Sequence, residues 1–272
     1  MPADEYHRHE ALSSSGARKL LPPSCPALFK YERDNPQPTK RVFEIGHAAH
    51  KSVLGVGPEL VLVDADRWDT KAIKEQLAEI RAAGGVPLKR PEFEQVQAMA
   101  KALREHPYAG ALFDPERGGK AEQNLFWTDA KTGVDCRARV DWLPRARRSG
   151  RLILPDYKSA DKVDRESIDK ALHNYGYAQQ ATWYLDAVTA VGLAESVRFL
   201  FVAQMKTPPY LVTVAEVDAE SLQIGRDYND LARRTFADCI ASGRWPGFSD
   251  DGPIIAGLPG YARNRYYEET GK

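Results

Sequence analysis

Two short runs decide the fold: Arg139-Val140-Asp141-Trp142-Leu143 and, after a polar connection, Leu152-Ile153-Leu154-Pro155-Asp156-Tyr157-Lys158. Both runs are apolar and rich in branched residues, and residues 145–150 between them are polar and end in a glycine. This pattern predicts two strands joined as a hairpin. Because alternate side chains of a strand share a face, we expect Asp156 and Lys158 to project together and Tyr157 to point away.

Asp141 lies on the first strand of this predicted hairpin and can face Asp156 on the second. Two carboxylates and an ammonium group would then converge on one point. Carboxylate oxygens are preferred ligands of hard cations such as Mg²⁺, and a neighbouring lysine can orient water or stabilise developing charge. The alternative is a pair of salt-bridged charges on the solvent face of a hairpin, because D-x-K triplets are common.

The length and composition are those of an ordinary globular chain. The 272 residues are 43% hydrophobic and 28% charged, which suits one large domain with a substantial core. No apolar run approaches the roughly 18 residues of a membrane span, and the first residues lack the apolar core of a signal peptide. We therefore expect a cytoplasmic protein with no membrane partner. The three cysteines lie far apart in the sequence and indicate neither a disulfide framework nor a zinc site.

Basic residues are concentrated around the predicted hairpin. The 38 basic and 38 acidic residues give a net charge of zero, whereas a basic excess is usual in DNA-binding proteins. The local distribution differs from this average, because six arginines fall within the hairpin and its flanks: Arg137, Arg139, Arg145, Arg147, Arg148 and Arg151. A basic stripe beside an acidic metal site is compatible with phosphate binding.

The arrangement Asp141…Asp156-Tyr157-Lys158 resembles the signature of the PD-(D/E)xK nuclease superfamily, in its RecB-like branch. Asp141 matches the first acid and Asp156 the second, so the literal Pro155-Asp156 is not the "PD" of that signature. Further matches in the same order along the chain point to phage RecE-type, exonuclease VIII-like enzymes. Three cysteines are too few for the iron–sulfur relatives of this branch, which need four cysteine ligands.

A helix predicted over residues 39–54 contains Gly46-His47-Ala48-Ala49-His50. Its G-x-x-x-H spacing resembles the histidine motif of RecB-like nucleases, in which the histidine reaches the metal. The resemblance implies that His50 binds metal together with Asp141, Asp156 and the backbone carbonyl of Tyr157. The alternative is a structural histidine on a packed helix.

A second helical motif follows the D-x-K strand, within a mainly helical stretch predicted over residues 161–192 and broken near residue 175. Tyr177, Gln180 and Tyr184 are three and four residues apart and share one helix face. The pair Gln180 and Tyr184 resembles the Q-x-x-x-Y motif of RecB-like nucleases, which borders the active site and the DNA path. Gln179 is the alternative if the register slips by one residue. An aromatic stripe at this spacing is also typical of plain core, although core rarely places a glutamine between tyrosines.

Other matches complete the expected site. Glu122, on a strand predicted over residues 122–127, matches the first-strand acid near the metals; the alternative is an edge-strand charge. Ser15 matches a serine that helps to hold the 5′-phosphate in lambda-type exonucleases, although serines before a helix are also natural caps. Arg137 and Arg139 share a strand face with Asp141, and with Ser15 and Tyr177 they form the expected DNA-binding set.

The remaining pattern predicts an α/β fold, with a mixed central sheet, flanking helices and an N-terminal helical region around a restriction-endonuclease-like nuclease core. We expect helices at 66–84 and 91–106, a three-stranded meander at 122–127, 134–143 and 151–158, a hairpin at 197–202 and 211–217, a long helix from residue 218 and an irregular tail. No internal repeat or linker is evident. We therefore expect a single domain over 1–272, with a mainly helical part at 1–115 and the nuclease core at 116–243.

The resemblance implies a metal-dependent 5′→3′ double-stranded DNA exonuclease that leaves 3′ overhangs for phage-type recombination. It implies Mg²⁺, replaceable by Mn²⁺, with Lys158 positioning the attacking water. It further implies linear duplex DNA as the substrate, a single-strand annealing (RecT-like) partner and a homo-oligomeric ring. No G-x-x-x-x-G-K-[ST] motif is present, so no ATP is expected. The alternatives are another PD-(D/E)xK endonuclease or repair nuclease, and a catalytically inactive DNA-binding relative.

Overall fold

The computed structural model describes residues 1, 3–36, 44–65, 67–145 and 151–272. Within these ranges the helices are α1 (Ala3–Arg8), α2 (Ser14–Lys19), α3 (Pro26–Asp34), α4 (Glu44–Leu54), α5 (Lys71–Ala82), α6 (Arg90–Glu105), α7 (Ala109–Leu112), α8 (Arg165–Asn174), α9 (Tyr177–Ala190), α10 (Ala219–Ser242) and α11 (Gly260–Thr270). The strands are β1 (Leu12–Ser13), β2 (Leu60–Leu62), β3 (Val86–Leu88), β4 (Lys120–Thr128), β5 (Asp135–Leu143), β6 (Leu152–Ala160), β7 (Val197–Met205) and β8 (Val212–Glu216).

The strands of the described ranges form three small sheets. In the first, β5 lies between β1, which is parallel to it, and β4, which is antiparallel. In the second, β7 lies between β6, which is parallel to it, and β8, which is antiparallel. The short strands β2 and β3 pair in parallel beside α4 and α6. The predicted α/β class with mixed sheets and flanking helices is thus confirmed.

The predicted hairpin of β5 and β6 is wrong. The two strands lie side by side, but no backbone ladder joins them in the described part of the chain. β6 instead pairs with β7 along its whole length, from Leu152 opposite Val197 to Ala160 opposite Met205. The physical reason lies at Tyr157, whose backbone N–H donates to Asp141 Oδ2 at 2.7 Å. At this point the acceptor that β5 offers to β6 is a side-chain carboxylate and not a backbone carbonyl.

Several element boundaries follow the sequence closely, and others differ. Asp218 caps α10 by accepting from the Ser221 N–H at 2.9 Å. The break between α8 and α9 falls at Gly176, whose φ is +63°, a left-handed conformation that glycine adopts without strain. Within the helix predicted over 66–84, α5 spans Lys71–Ala82, and the side chain of Thr70 caps it by accepting from the Ile73 N–H. The tail predicted to be irregular contains α11. Residues 39–43 of the helix predicted over 39–54, residue 66 and residues 146–150 lie outside the described residues.

The main core lies between the two larger sheets and the helices α9 and α10. Trp183 of α9 is fully buried there, and its indole N–H donates to the backbone carbonyl of Arg137 at 2.9 Å. A β-carbon at Gly225 would lie 2.4 Å from the carbonyl oxygen of Ala178, so α10 needs glycine to approach α9 this closely. This packing holds α9 against β4, β5 and β7, and the amide of Gln180 on α9 donates to Asp156 of β6. In the described part of the chain no helix combines the length and apolarity needed to cross a membrane.

Candidate active site

Three side chains from three elements meet at one cluster: His50 from α4, Glu122 from β4 and Asp141 from β5. His50 Nδ1 lies 3.1 Å from Glu122 Oε1, and His50 Nε2 lies 3.1 Å from Asp141 Oδ2. One ligand atom from each residue lies within 4.8 Å of the other two. An imidazole and two carboxylates at this spacing can hold a divalent cation.

Glu122 has an unusual backbone conformation for a strand residue. Its φ is +54°, a region in which residues other than glycine are strained. The ladder of β4 and β5 pairs Ala121 with Trp142 and Gln123 with Val140, whereas Glu122 and Asp141 between them do not pair. The strain therefore falls on the one position of β4 that leaves its ladder beside the cluster.

The opposite charges in this cluster stabilise one another. Burial opposes a charge on His50, yet the carboxylates of Asp141 and Glu122 raise the pKa of His50 to about 10. Burial acts to raise the pKa of Asp141, but His50, Lys158 and the backbone N–H of Tyr157 lower it below its ordinary value. The pKa of Glu122 is likewise lowered, against the effect of burial, by hydrogen bonds from His50 and Arg139. At neutral pH the cluster thus consists of two carboxylates around an imidazolium ion.

Asp156 and Lys158 form a second group next to this cluster. Lys158 Nζ lies 2.5 Å from Asp156 Oδ2, and the amide of Gln180 donates to Asp156 Oδ1 at 3.0 Å. Asp156 is 1% exposed, and burial together with the charge of Asp141 raises its pKa to about 7. The pKa of Lys158 is also raised, because Asp156 and Asp141 outweigh the effect of burial.

Asp156 is absent from the group of ligand atoms formed by His50, Glu122 and Asp141. Asp141 and Asp156 are near enough to influence each other's pKa. Oδ2 of Asp156 is ion-paired with Lys158, and Oδ1 accepts from Gln180. The role of Asp156 as a metal ligand, which the resemblance implies, stays a prediction. Lys158 Nζ also lies 5.3 Å from the ring centre of Tyr177, a cation–π distance that fixes its direction.

The structure separates the two candidate glutamines of α9. Gln180 faces Asp156, whereas Gln179 is buried on another side, where the amide of Asn229 donates to its backbone carbonyl. Tyr184 lies one turn beyond Gln180, is partly buried against the core, and its pKa is raised well above the ordinary value by burial and by Asp156 and Asp141. The side chain of Tyr157 points the other way, and its hydroxyl donates to Gln204 at 2.8 Å.

Three of the four expected DNA-binding residues line a cavity of about 280 Å³ whose wall includes Glu122 and Asp141 of the cluster. Ser15, Arg139, Tyr177 and Tyr184 line it together with Glu122, Asp141 and Gln180. Arg139 forms an ion pair with Glu122 and donates to Asn124 Oδ1 at 3.2 Å. Arg137 does not line this cavity; it lies in the wall of the neighbouring one.

Residues 13–253 match the family model described as a PDDEXK-like domain of unknown function (DUF3799). The chain belongs to this family. The superfamily assignment made from Asp141, Asp156 and Lys158 is therefore confirmed, and it supports a nuclease.

Among solved structures, the PDDEXK-like chain resembles a candidate exonuclease from Eubacterium rectale. The TM-score is 0.61 at 12% identity, over 98% of this chain and 95% of that chain. At such low identity the likeness concerns the fold alone. A second structure, described as SSO0001, aligns with a TM-score of 0.28 at 12% identity over 72% of this chain and 88% of that one, and supports no argument. The curated proteins contain no match.

The donors of this PDDEXK-like domain fit a divalent metal. Two carboxylates with lowered pKa and one imidazole are an oxygen-rich set suited to Mg²⁺ or Mn²⁺. His50, Glu122 and Asp141 would hold the ion. In the metal-free protein, the imidazolium of His50 supplies the positive charge between the two carboxylates.

Sequence reasoning missed two residues of the site in this PDDEXK-like domain. Arg18 lines the cavity and donates to the backbone carbonyl of Tyr175; its position three residues after Ser15, on the same helix face, was a usable signal. Tyr6 also lines the cavity, with the guanidinium groups of Arg137 and Arg139 at 4.6 and 5.8 Å from its ring centre. No pattern in the sequence indicates the role of Tyr6.

Proposed function

We propose that this PDDEXK-like protein is a metal-dependent 5′→3′ exonuclease that acts on linear double-stranded DNA and leaves 3′ overhangs. The observation that carries the proposal is the buried pair of Asp156 and Lys158 placed beside the cluster of His50, Glu122 and Asp141. A solvent-exposed salt bridge, the alternative considered for the D-x-K triplet, does not explain a 1% exposed carboxylate.

Each residue has a distinct part in the proposed reaction. His50, Glu122, Asp141 and the backbone carbonyl of Tyr157 would bind Mg²⁺ or Mn²⁺, and Asp156 would contribute the second carboxylate of the signature. The bound ion would supply polarisation of the scissile phosphate and a lower pKa for the attacking water. Lys158 orients the water and stabilises charge in the transition state. Gln180 holds the Asp156 carboxylate in place, and Tyr184 supports Gln180.

The preferred end in this proposal is a 5′-phosphorylated terminus. Ser13 accepts from the Gly16 N–H at 3.1 Å and is the cap of α2. Ser15 is therefore not needed as a cap, is exposed and lines the cavity next to the cluster. If Ser15→Ala digests 5′-phosphate and 5′-hydroxyl ends with the preference of the unchanged protein, Ser15 has no part in end recognition.

We further propose a single nuclease domain that assembles into a homo-oligomeric ring and delivers its product to a single-strand annealing (RecT-like) protein in phage-type recombination. These parts of the proposal rest on the resemblance to RecE-type enzymes. A fully active particle that is monomeric in light scattering would remove the ring from the proposal.

The test is incubation of linear duplex DNA, labelled at either the 5′ or the 3′ end, with Mg²⁺. The expected result is early release of the 5′ label and a growing 3′ single strand. Covalently closed circular DNA is the matched control, because an exonuclease leaves it intact. Cleavage of the circle at the same rate would favour the second candidate, a PD-(D/E)xK endonuclease. Asp141→Asn serves as the inactive control protein.

A further inference from the structure

Residues 248–272 form a terminal arm whose side chains are almost all exposed. Ala262 is half-buried, and every other residue of the arm is exposed. The arm is nevertheless rich in large apolar side chains, which are Phe248, Ile254, Ile255, Leu258, Tyr261, Tyr266 and Tyr267. Single exposed apolar residues are ordinary on a protein surface, whereas a group of them in one segment indicates an interaction site. The match to the family model ends at residue 253, so most of the arm lies beyond it.

The helix of this arm, α11, has no buried face. It spans the 11 residues Gly260–Thr270, and none of them is buried. Isolated helices shorter than about 12–15 residues are marginal in water, because most helices in proteins are stabilised by packing of one face. The exposed ion pair of Arg265 and Glu269 adds little to this. The arm therefore needs a surface that the described part of its own chain does not supply.

The outer face of α10 is such a surface. Ile224, Tyr228 and Leu231 follow one another at four and three residues and so lie on one side of the helix, where they are 42–51% exposed. A different face of α10, which includes Ala232 and Phe236, is buried in the main core. The solvent face of an amphipathic helix normally carries polar side chains. The three apolar residues, here called the α10 stripe, are therefore a second exposed apolar surface of this chain.

The charges of the two surfaces are complementary. Three exposed acidic residues and one exposed arginine lie on the side of α10 that carries the stripe: Glu220, Asp227, Asp238 and Arg234. Residues 253–267 of the arm include Arg263 and Arg265 and no acidic residue. Complementary potentials favour association and fix its orientation. A surface with an acidic excess is unsuited to DNA, so the partner that fits the stripe is a protein segment of the kind that the arm provides.

Resting on the homo-oligomer of the proposed function, we propose that residues 253–259 of the arm bind the α10 stripe of a second copy of this chain, with Ile254, Ile255 and Leu258 as the apolar anchors. An extended segment of this length spans up to about 23 Å, and the stripe covers about 10 Å along its helix, so one arm can cover one stripe.

This interface is heterologous, because the arm and the stripe are different surfaces. Each copy gives its arm to one neighbour and receives the arm of another. Such contacts form a ring where the rotation between copies closes, and a filament where it does not. The inference thus names the two surfaces through which the proposed ring would assemble.

The experiment measures the mass of the full-length chain by light scattering over a series of concentrations. The variants are Ile255→Asp in the arm and Leu231→Asp in the stripe, and the control is Leu211→Asp, at an exposed apolar position outside both surfaces. A carboxylate placed in an apolar contact is unfavourable, so we expect each of the first two variants to weaken association about tenfold or more. The control should assemble like the unchanged chain.

Mixing the two variants tests whether the arm and the stripe meet. Ile255→Asp retains an intact stripe and Leu231→Asp an intact arm, so the mixture contains one complete interface. We expect it to form a dimer and no larger particle, whereas each variant alone stays monomeric. A mixture that stays monomeric would overturn the proposal. Melting temperatures are recorded for every protein, and Asp227→Lys, at an exposed position, replaces Leu231→Asp as the stripe variant if the latter does not fold.

Two further outcomes would also overturn the proposal. An unchanged chain that is monomeric at every concentration would show that no second copy occupies the stripe and leave a different protein, or the arm of the same chain, as its occupant. An unchanged chain that assembles, with Ile255→Asp assembling equally well, would place the interface elsewhere.

Cleavage of linear duplex DNA with Mg²⁺ by the same preparations separates this inference from the proposed function. If the unchanged chain cleaves DNA and both variants assemble like the control, only the interface is wrong. If the unchanged chain assembles through the arm and the stripe but does not cleave, the nuclease proposal is wrong and the interface remains.

Discussion

Lys158→Ala separates catalysis from stability, because the structure predicts a different pH dependence for each. In the metal-free protein Lys158 is the cation bonded to Asp156, which is 1% exposed. After the change, Gln180 is the remaining side chain bonded to Asp156 among the described residues. Breaking a buried ion pair in this way typically costs about 3–5 kcal/mol when the remaining group stays charged. Asp156 has another response, which is to bind a proton.

The loss of folding stability in Lys158→Ala depends on pH through the pKa of Asp156, which is raised to about 7 in the presence of Lys158. Because this folded-state pKa exceeds that of the unfolded chain, the favourable contribution of protonated Asp156 is present at low pH and lost as pH rises through about 7. Without Lys158 the pKa rises further, so the variant continues to lose stability above pH 7, by about 1.4 kcal/mol per pH unit. From pH 7 to pH 9 the stability difference between the two proteins should therefore widen, by up to about 3 kcal/mol.

The assay is denaturant unfolding in EDTA at pH 5.5, 7 and 9, with single-turnover cleavage in Mg²⁺ on the same preparations. Between pH 5.5 and 7 the difference in unfolding free energy should stay nearly constant, since Asp156 is mainly protonated in both proteins. Cleavage by Lys158→Ala should fall by about 10²-fold or more, the scale for one positioned catalytic group. Lys170→Ala is the matched control, because Lys170 pairs with Glu166 on the exposed face of α8; it should change neither property.

Two results would refute the reasoning. Cleavage by Lys158→Ala at the rate of the unchanged protein would falsify the catalytic role of Lys158. A stability difference that does not widen above pH 7 would contradict the buried ion pair, whatever the cleavage rate.

Three further predictions concern the metal, the helix α9 and His50. Cleavage should require Mg²⁺ or Mn²⁺ and stop in EDTA, because the donors of the cluster are mainly carboxylate oxygens; full activity in chelator would contradict the metal site. Gln180→Ala should lower the cleavage rate about tenfold or more with little change in melting temperature. Gln179→Ala should instead lower the melting temperature and leave cleavage nearly intact. The reverse pattern would assign the motif to Gln179. The raised pKa of His50, about 10, means that its charged form stabilises the metal-free fold fully below about pH 6.5 and that this contribution is lost as pH rises through 10. His50→Gln should therefore remove that pH dependence from unfolding curves recorded in EDTA, and an unchanged curve would show that His50 does not carry the charge.

The sequence predicted most of the elements because their signals are local. The cap at Asp218, the break at Gly176 and the alternation of Asp156 and Lys158 each depend on a few neighbouring residues and the geometry of a helix or strand. Strand pairing depends on the whole chain. The polar connection after Leu143 is as compatible with a hairpin as with a change of sheet, and the parallel pairing of β6 with β7 depends on the α8–α9 crossover.

In the candidate site, too, some features follow from local sequence signals and others depend on the folded chain. The resemblance to a first-strand acid placed Glu122 near the cluster, but its positive φ has no local signal in the sequence, because it is not a glycine position. Ser13 and Ser15 are equally good caps in the sequence, and only the hydrogen bond to the Gly16 N–H identifies Ser13 as the cap. The burial of Arg137 against the ring of Tyr6 is also invisible in the sequence, where Arg137 is one of several arginines.

The largest difference between sequence and structure concerns the two aspartates, which the motif treats as equivalent. Asp141 accepts from the backbone N–H of Tyr157 and lies against His50, so its pKa is lowered and it is ionised throughout the neutral range. Asp156 is bonded to Lys158 and Gln180 and repelled by Asp141, so its pKa of about 7 places it close to protonation. Environments that separate the pKa values of two carboxylates also give them different roles. Lys158 therefore acts before any bond is broken, by opposing the rise in the pKa of Asp156, so that a fraction of Asp156 is ionised at neutral pH. Loss of Lys158 should therefore have its largest effect in the pH range in which Asp156 is ionised in the unchanged protein but protonated in Lys158→Ala.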